Sequence, residues 1–352
     1  MIETLTARVS AGHALSAEEV GAAVACLIDP ALAPAAKADF LAALAGKGET
    51  PEEIALFARH LRDLAVFPPL SPEVRRETIL DVVGTGGDRL GTFNISTTTA
   101  ILVSAAGVRV AKHGNRAVTS PTGSADVLEA LGIPIDLSPE GAVAMLRDHG
   151  FAFFFAPLYH PTFKHIGPAR RICAERGQRT LFNFLGPLLN PVRPTAQLMG
   201  VPRPELCEAL ARVLQSLGVH RAMVVCGRAG QGSDAPCFDE LSILGDTTIA
   251  EFYHERALSV SVLPPPEWVD AAARLESLQG GDRQLNATII RNILRGEDRG
   301  PRRDAVLWNA AAALLVADRV RSLEEGRELA AEVIDCGQAV RKLDALAGVS
   351  RG

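Results

Sequence analysis

Ile79-Leu-Asp-Val-Val83 runs into Gly84-Thr-Gly-Gly-Asp88, and Asn94-Ile-Ser-Thr-Thr-Thr-Ala-Ile-Leu-Val-Ser-Ala-Ala-Gly107 leads on to Val108-Arg-Val-Ala111. The first run is short and β-branched. The third is a small-residue helical stretch closed by a glycine, and the last is again β-rich. Strand, glycine loop, helix, strand is the grammar of a βαβ unit and predicts a parallel sheet. Working outward, further strands are predicted at Ile133–Leu137, Phe151–Phe155, Arg221–Cys226 and Leu258–Leu263. Helical periodicity falls at Val143–Arg147, Pro204–Leu217 and Ala305–Ala317. Upstream, the first 70 residues read as helices. Ser16-Ala-Glu-Glu19 and Thr50-Pro-Glu-Glu53 fit the capping box, the second with Pro at the first helical position. Phe67-Pro-Pro-Leu-Ser-Pro72 reads as a linker.

The 352 residues suggest about two domains. With 36 basic and 41 acidic residues the net charge is −5, which disfavours nucleic acid as the main partner, since phosphate backbones reward basic footprints. The most apolar runs, 100–110 and 151–158, fall short of the roughly 20 residues a membrane helix needs. The N-terminus shows no basic stretch followed by an apolar one, so a cytoplasmic location is expected. Six scattered cysteines without a CxxC pair fit reduced thiols rather than a zinc site or a disulfide framework. Only five of the 36 cations are lysines (37, 47, 112, 164, 342), so a Lys in a functional setting is informative.

Three clusters carry chemistry. In Gly84-Thr-Gly-Gly-Asp88 the glycines allow close backbone approach and can turn N–H groups toward an anion. The hydroxyl-rich Asn94-Ile-Ser-Thr97 then opens a helix whose positive end attracts phosphate. The loop is neither a Walker A nor a GxGxxG motif. Lys112-His-Gly-Asn-Arg-Ala-Val-Thr-Ser120 follows the next strand, where open α/β sheets bind ligands, and Gly123-Ser-Ala-Asp126 opens another helix. Asp239-Glu240 is a carboxylate pair suited to Mg²⁺. Each has a plainer reading as a structural turn, a solvated loop or a surface acid pair. Taken together they describe a pocket for a polyphosphorylated, magnesium-bound small molecule.

Asp81-Val-Val-Gly-Thr-Gly-Gly-Asp88, Asn94-Ile-Ser-Thr97, Lys112-His-Gly-Asn-Arg116, Gly123-Ser-Ala-Asp-Val-Leu-Glu-Ala-Leu-Gly132, Arg179-Thr-Leu-Phe-Asn-Phe-Leu-Gly-Pro-Leu-Leu-Asn-Pro191 and Pro301-Arg-Arg-Asp-Ala-Val-Leu-Trp-Asn-Ala-Ala-Ala-Ala-Leu314 are together highly specific. On them the chain resembles the anthranilate phosphoribosyltransferase family, of the nucleoside phosphorylase/phosphoribosyltransferase fold. The resemblance implies a small all-helical domain beside a larger α/β domain with a central, mostly parallel sheet. Residues 1–74 with a segment near 164–190 would form the first, and 75–163 with 191–352 the second. It also implies a homodimer joined through the helical domains. The implied reaction transfers phosphoribosyl from phosphoribosyl pyrophosphate (PRPP) to the amine of anthranilate in tryptophan biosynthesis, releasing pyrophosphate.

By the same resemblance, Gly84, Gly87, Asp88, Thr92, Asn94, Ser96, Thr97, Lys112, Asn115, Thr119, Ser120 and Ser124 would bind PRPP. Ser96, Asp239 and Glu240 would ligate Mg²⁺, two ions together with PRPP. Gly84, Asn115 and Arg170 would line the anthranilate site, Arg170 offering its bidentate fork to the carboxylate. No general base is assigned. His113 is a candidate for orienting the amine, and a structural role fits it equally. Three stretches depart from the family pattern: Thr119-Ser-Pro-Thr122 where Ser-Ser-Lys-Ser is expected, an Arg171–Arg179 segment about three residues longer, and a lengthened Gly227–Cys237. Two other readings share the scaffold, a pyrimidine-nucleoside phosphorylase and a non-catalytic nucleic-acid-binding relative. The first lacks its Lys-His-Ser-Thr-Gly-Gly lead-in before Gly84. The net charge and the intact acid pair speak against the second.

Overall fold

The computed structural model describes residues 1–117, 121–232, 234–254, 257–270 and 272–349. Four helices open the chain: α1 (Ile2–Ser10), α2 (Ala17–Ile28), α3 (Pro34–Lys47) and α4 (Pro51–Asp63). Both capping boxes form, with Ser16 accepting from Glu19 N–H and Thr50 from Glu53 N–H. The Glu53 side chain also ion-pairs with Lys47 at 2.6 Å in a buried position. A short α5 (Pro72–Arg76) ends the linker and leads into β1 (Ile79–Gly84), α6 (Ile95–Ala105) and β2 (Arg109–Gly114), the βαβ unit expected from the sequence.

Beyond it come α7 (Ser124–Leu131), α8 (Pro139–His149), β3 (Phe151–Phe155), α9 (Ala156–Tyr159), α10 (Gly167–Glu175) and α11 (Phe182–Leu185). Then follow β4 (Ala196–Gly200), α12 (Glu205–Ser216), β5 (Arg221–Arg228), β6 (Cys237–Phe238), β7 (Thr247–Tyr253) and β8 (Ser259–Leu263). Four helices close the chain: α13 (Arg283–Leu294), α14 (Pro301–Val316), α15 (Leu323–Asp335) and α16 (Gln338–Ala347). The sheet order is β3-β2-β1-β4-β5-β7-β8, with β6 paired to β5. The pairings from β3 through β5 are parallel, and β5 with β6, β5 with β7, and β7 with β8 are antiparallel.

One sequence expectation needs correction, and the strands β4 and β7 are not among those predicted. Ile133–Leu137 is not a strand. Gly132 ends α7 with φ +86°, Ile133 N–H returns to Leu128 O, and Pro134 withholds a ladder donor; Ile133 and Ile135 are buried as connector residues instead. β4 was not foreseen because Gln197 interrupts its apolar run, yet Gln197 is buried and donates to Pro187 O at 2.8 Å. β7 was also not foreseen, its Thr247-Thr248 and Glu251 diluting the apolar pattern.

Burial alternates along the strands and assigns each sheet face to a core. Met223 and Val225 of β5 join Leu198 in the core beneath α6, α13, α14, α15 and α16. Ala222, Val224 and Cys226 join Met199 and α12 in a second core that continues into α1–α4 and residues 166–189. The helical bundle thus rests on the sheet through α12. Lys37 of α3, buried, ties it to the central segment by donating to Asp29 O at 2.7 Å and His165 O at 3.1 Å. Among the described residues no helix is long and apolar enough to cross a membrane.

Candidate active site

Parallel strands leave their carboxyl ends open as a crevice, and the signals read from the sequence converge there. Gly84 and Gly200 are partners at the ends of β1 and β4. A Cβ on Gly84 would lie 2.2 Å from Asp239 Oδ2, and one on Gly200 would lie 1.6 Å from the Asp239 carbonyl oxygen. The two glycines therefore admit the Asp239 segment across the strand ends. Gly86 N–H donates to Asp239 Oδ2 at 2.7 Å, and Ser96 N–H, in the first turn of α6, donates to Glu240 Oε1 at 3.1 Å. The glycine loop needs its glycines, since Gly86 and Gly87 have φ of +67° and +86°.

Lys112 on β2 is 2% exposed and donates to Val82 O at 2.5 Å, with Asp81, Asp239 and Glu240 around it. Burial pushes the ammonium below the usual lysine range against the pull of these three carboxylates. Asp81 is buried too, pushed up to about 6 by burial although Lys112 and the Asn190 amide (2.9 Å) favour its charge. Burial and then the Asp88 charge push Asp239 up to about 7, and burial followed by Asp239 carries Glu240 well above the carboxylate range. Carboxylates crowded this way around a single ammonium favour a further cation.

The described ends of the loop after β2 lie against each other. Asn115 O accepts from Ala125 N–H and from Ser124 Oγ, both at 3.3 Å. Asp126 Oδ2 accepts from Ala117 N–H and Gly123 N–H, while Arg116 forks onto Glu129. Thr92 pairs with Gln279, Asn94 precedes α6, and Thr97 is buried with its hydroxyl unpartnered. Thr119 and Ser120 lie outside the described residues.

His113 is buried beside this loop. Its Nδ1 faces the Gly186 carbonyl at 3.2 Å, so Nδ1 carries the hydrogen and Nε2, buried and unpartnered, is a bare acceptor. Burial and then His160 push its pKa down to about 3, keeping it neutral. A row of rings runs outward from it. His160 is 5.4 Å from His113, Phe163 5.1 Å from His160, and Phe182 5.9 Å from Phe163. The exposed Arg170 holds its guanidinium 5.5 Å from the Phe182 ring. This row links Arg170 to the strand-end crevice.

Two buried residues near the acid pair were not singled out as site residues in the sequence. Gly200 sits in the unforeseen β4. Asn309, fully buried on α14, both accepts from Leu241 N–H and donates to Leu241 O at 3.0 Å, clamping the residue after the acid pair. One amide within an alanine-rich helix was the available signal.

Among the described residues no group of three or more His, Cys, Asp or Glu side chains is arranged to hold a metal by itself. Two half-buried carboxylates and the Ser96 hydroxyl are hard oxygen donors, and they suit Mg²⁺ that completes its shell with substrate oxygens and water.

The raised acids give a stability prediction. A carboxyl whose folded pKa exceeds its unfolded value keeps its proton longer when folded, so its stabilising contribution is present at low pH and fades as pH rises toward the folded pKa. His113 and His160 act in the opposite sense, but below about pH 6.5. Between pH 6.5 and 8, in chelator, the melting temperature is expected to fall. The Asp239→Asn/Glu240→Gln variant is expected to stay flat, and parallel curves from a thermal scan would refute the assignment.

The glycosyl transferase family helical bundle domain matches residues 3–65, and the glycosyl transferase family a/b domain matches residues 76–340. An anthranilate phosphoribosyltransferase of Symbiobacterium thermophilum is 48% identical over 343 residues, covering 97% of this chain and 96% of the relative. The solved anthranilate phosphoribosyltransferase of Thermus thermophilus superposes with a TM-score of 0.85 at 38% identity, over 97% of this chain and 98% of that one. The Saccharomyces cerevisiae enzyme, solved in complex with PRPP and Mg, gives 0.84 at 26% identity over 99% and 98%. The same enzyme in complex with 4-fluoroanthranilate gives 0.82 at 26% identity, again over 99% and 98%.

Proposed function

The chain belongs to the anthranilate phosphoribosyltransferase family, and on that premise we propose how its strand-end crevice carries out the family's reaction. The enzyme is a pentosyltransferase of tryptophan biosynthesis. The anthranilate nitrogen forms a bond to C1 of the phosphoribosyl group as the bond from C1 to pyrophosphate breaks. The products are N-(5-phosphoribosyl)anthranilate, pyrophosphate and a proton. The observation that supports this most is the meeting of the glycine loop, the start of α6, Lys112 and the Asp239–Glu240 pair at one end of the sheet.

In this reading Gly84, Gly87, Asp88, Thr92, Asn94, Ser96, Thr97, Lys112, Asn115, Thr119, Ser120 and Ser124 hold PRPP. Ser96, Asp239 and Glu240 would hold Mg²⁺, two ions with the substrate. The bound cation stabilises the negative charge that grows on the leaving pyrophosphate. Lys112 adds a fixed positive charge in a water-poor setting, where it acts more strongly than in bulk solvent. Gly84, Asn115 and Arg170 line the anthranilate site, with Arg170 taking the carboxylate. His113 accepts from the amine N–H through its bare Nε2 and so orients the nitrogen lone pair toward C1. An aromatic amine is neutral near pH 7, so positioning serves in place of a strong base.

The reading extends to the whole chain. Residues 1–74 and a segment near 164–190 form a helical part, with 75–163 and 191–352 the α/β part. The core that α1–α4 share with residues 166–189 supports the place of that segment in the helical part. Two copies join through their helical parts, and the enzyme works in the cytoplasm.

Anthranilate fluorescence should be lost on mixing the protein with anthranilate, PRPP and Mg²⁺, and not when the metal is omitted. Persistent fluorescence in the complete mixture would overturn the reading. Arg170→Ala is expected to raise the anthranilate KM by about ten-fold or more, as loss of a charge-assisted fork implies, while the PRPP KM moves little. Equal rises in both constants would remove Arg170 from the acceptor site.

A further inference from the structure

Asn286, on α13, lies far along the chain from every motif assigned to the site, yet it is 2% exposed and bonded into it. Its Oδ1 accepts from Gly281 N–H at 2.8 Å, and its Nδ2 donates to Asn94 Oδ1 at 2.9 Å. Asn94 Nδ2 in turn donates to Thr122 O at 3.3 Å, and Thr122 Oγ donates to Gly281 O at 2.7 Å. The four residues close a ring that joins the start of α6, the loop after β2 and the turn before α13. The direction of the ring follows from its ends. A backbone N–H at Gly281 needs an oxygen opposite it, so Asn286 must turn its NH₂ to Asn94, and Asn94 must turn its own NH₂ to the Thr122 carbonyl.

The turn is held in place independently. Phe93 N–H donates to Leu278 O and Gly280 N–H to Gly91 O, both at 2.9 Å. A Cβ on Gly280 would lie 2.6 Å from Asn286 Oδ1 and 2.7 Å from Phe93 Cα, so the backbone approach that seats Asn286 requires glycine there.

We infer that Asn286 is a positioning residue for PRPP, fixing which way round the Asn94 amide stands so that Asn94 offers its second N–H, a donor, to the substrate's oxygens. This rests on the reading that Asn94 contacts PRPP. The ring also holds Thr122 beside Pro121, which has no N–H to give.

The test is Asn286→Asp, which keeps the size and the acceptor for Gly281 but faces Asn94 Oδ1 with another oxygen. Asn94 then turns over and meets the substrate with an acceptor. The PRPP KM is expected to rise about ten-fold while the anthranilate KM stays within two-fold, the pattern of a lost binding contact. In an Asn94→Ala background the same substitution should leave the PRPP KM within two-fold, because the residue it acts through is gone. Asn286→Ala, which removes the group that faces Asn94 without adding charge, should reproduce the selective rise if Asn286→Asp does not fold. A rise in both constants, an unchanged PRPP KM, or an effect that persists in the Asn94→Ala background would overturn the assignment. Wild-type protein that binds PRPP in titration calorimetry with Mg²⁺ keeps the two readings separable; wild type that does not bind it overturns both.

Discussion

Replacing Asp239 and Glu240 together by Asn and Gln is expected to cut the Mg²⁺-dependent consumption of anthranilate by about 10³-fold or more. Metal stabilisation of a leaving group supplies several kcal/mol, and each 1.36 kcal/mol is a factor of ten in rate. The amides keep the shapes of the carboxylates and can still accept from Gly86 N–H and Ser96 N–H, so the loop geometry survives. The same variant is expected to melt higher than wild type at pH 8 in chelator, because it removes two half-buried, mutually repelling charges. Activity and stability thus move in opposite directions, as expected where function strains a fold. Fluorescence assays and thermal scans on one preparation decide it. A variant that keeps a tenth of the activity would free the pair from the metal role.

Lys112→Met is the second large effect. Its ammonium is the cation enclosed by Asp81, Asp239 and Glu240, and Met fills much of the same space without charge. Leaving a buried charge unpaired costs about 3–5 kcal/mol. Asp81 can escape part of that cost by taking up a proton, since burial already pushes it up to about 6. The destabilisation should therefore be larger at pH 8 than at pH 5.5. Turnover at saturating substrates should fall by about 10²-fold or more, as for removal of one group preorganised toward a developing charge. A pH-independent loss of stability would show that Asp81 and Lys112 are not coupled, and unchanged turnover would remove Lys112 from the chemistry.

The parts of this design that were legible in the chain are those written locally. The capping boxes at Ser16 and Thr50, the glycine loop after Ile79–Val83 and the helix opening at Asn94 are decided by residues within one turn of each other, and each formed as expected. What escaped is decided at a distance. β4, and with it Gly200, is not among the predicted strands, and its buried Gln197 finds its partner only at a distance, in Pro187 O. Ile133–Leu137 reads as a strand from its apolar residues, and the turn at Gly132 with Pro134 prevents the pairing. Asn286 and Asn309 serve residues 192 and 68 positions away, and no local pattern marks such a duty. The row of rings from His113 to Phe182 is likewise assembled from three separate segments.

The clamp around the acid pair has a consequence for how this chain tolerates change. Asp239 lies against Gly200, a Cβ on Gly227 would lie 2.5 Å from the Glu240 carbonyl oxygen, and Leu241 is held at both backbone groups by Asn309. These restraints grip residues 239–241, and the stretch from Gly227 to Cys237 runs before them; its first residues are tied down too, Ser242 Oγ donating to Arg228 O and Gln231 Nε2 to Leu244 O. Residues added between Gln231 and Pro236 fall beyond these contacts, so the hairpin can grow or shrink there without moving the carboxylates. That makes it the natural place to splice in a reporter peptide or to open new chain ends by circular permutation, with catalysis itself as the readout of an undisturbed centre.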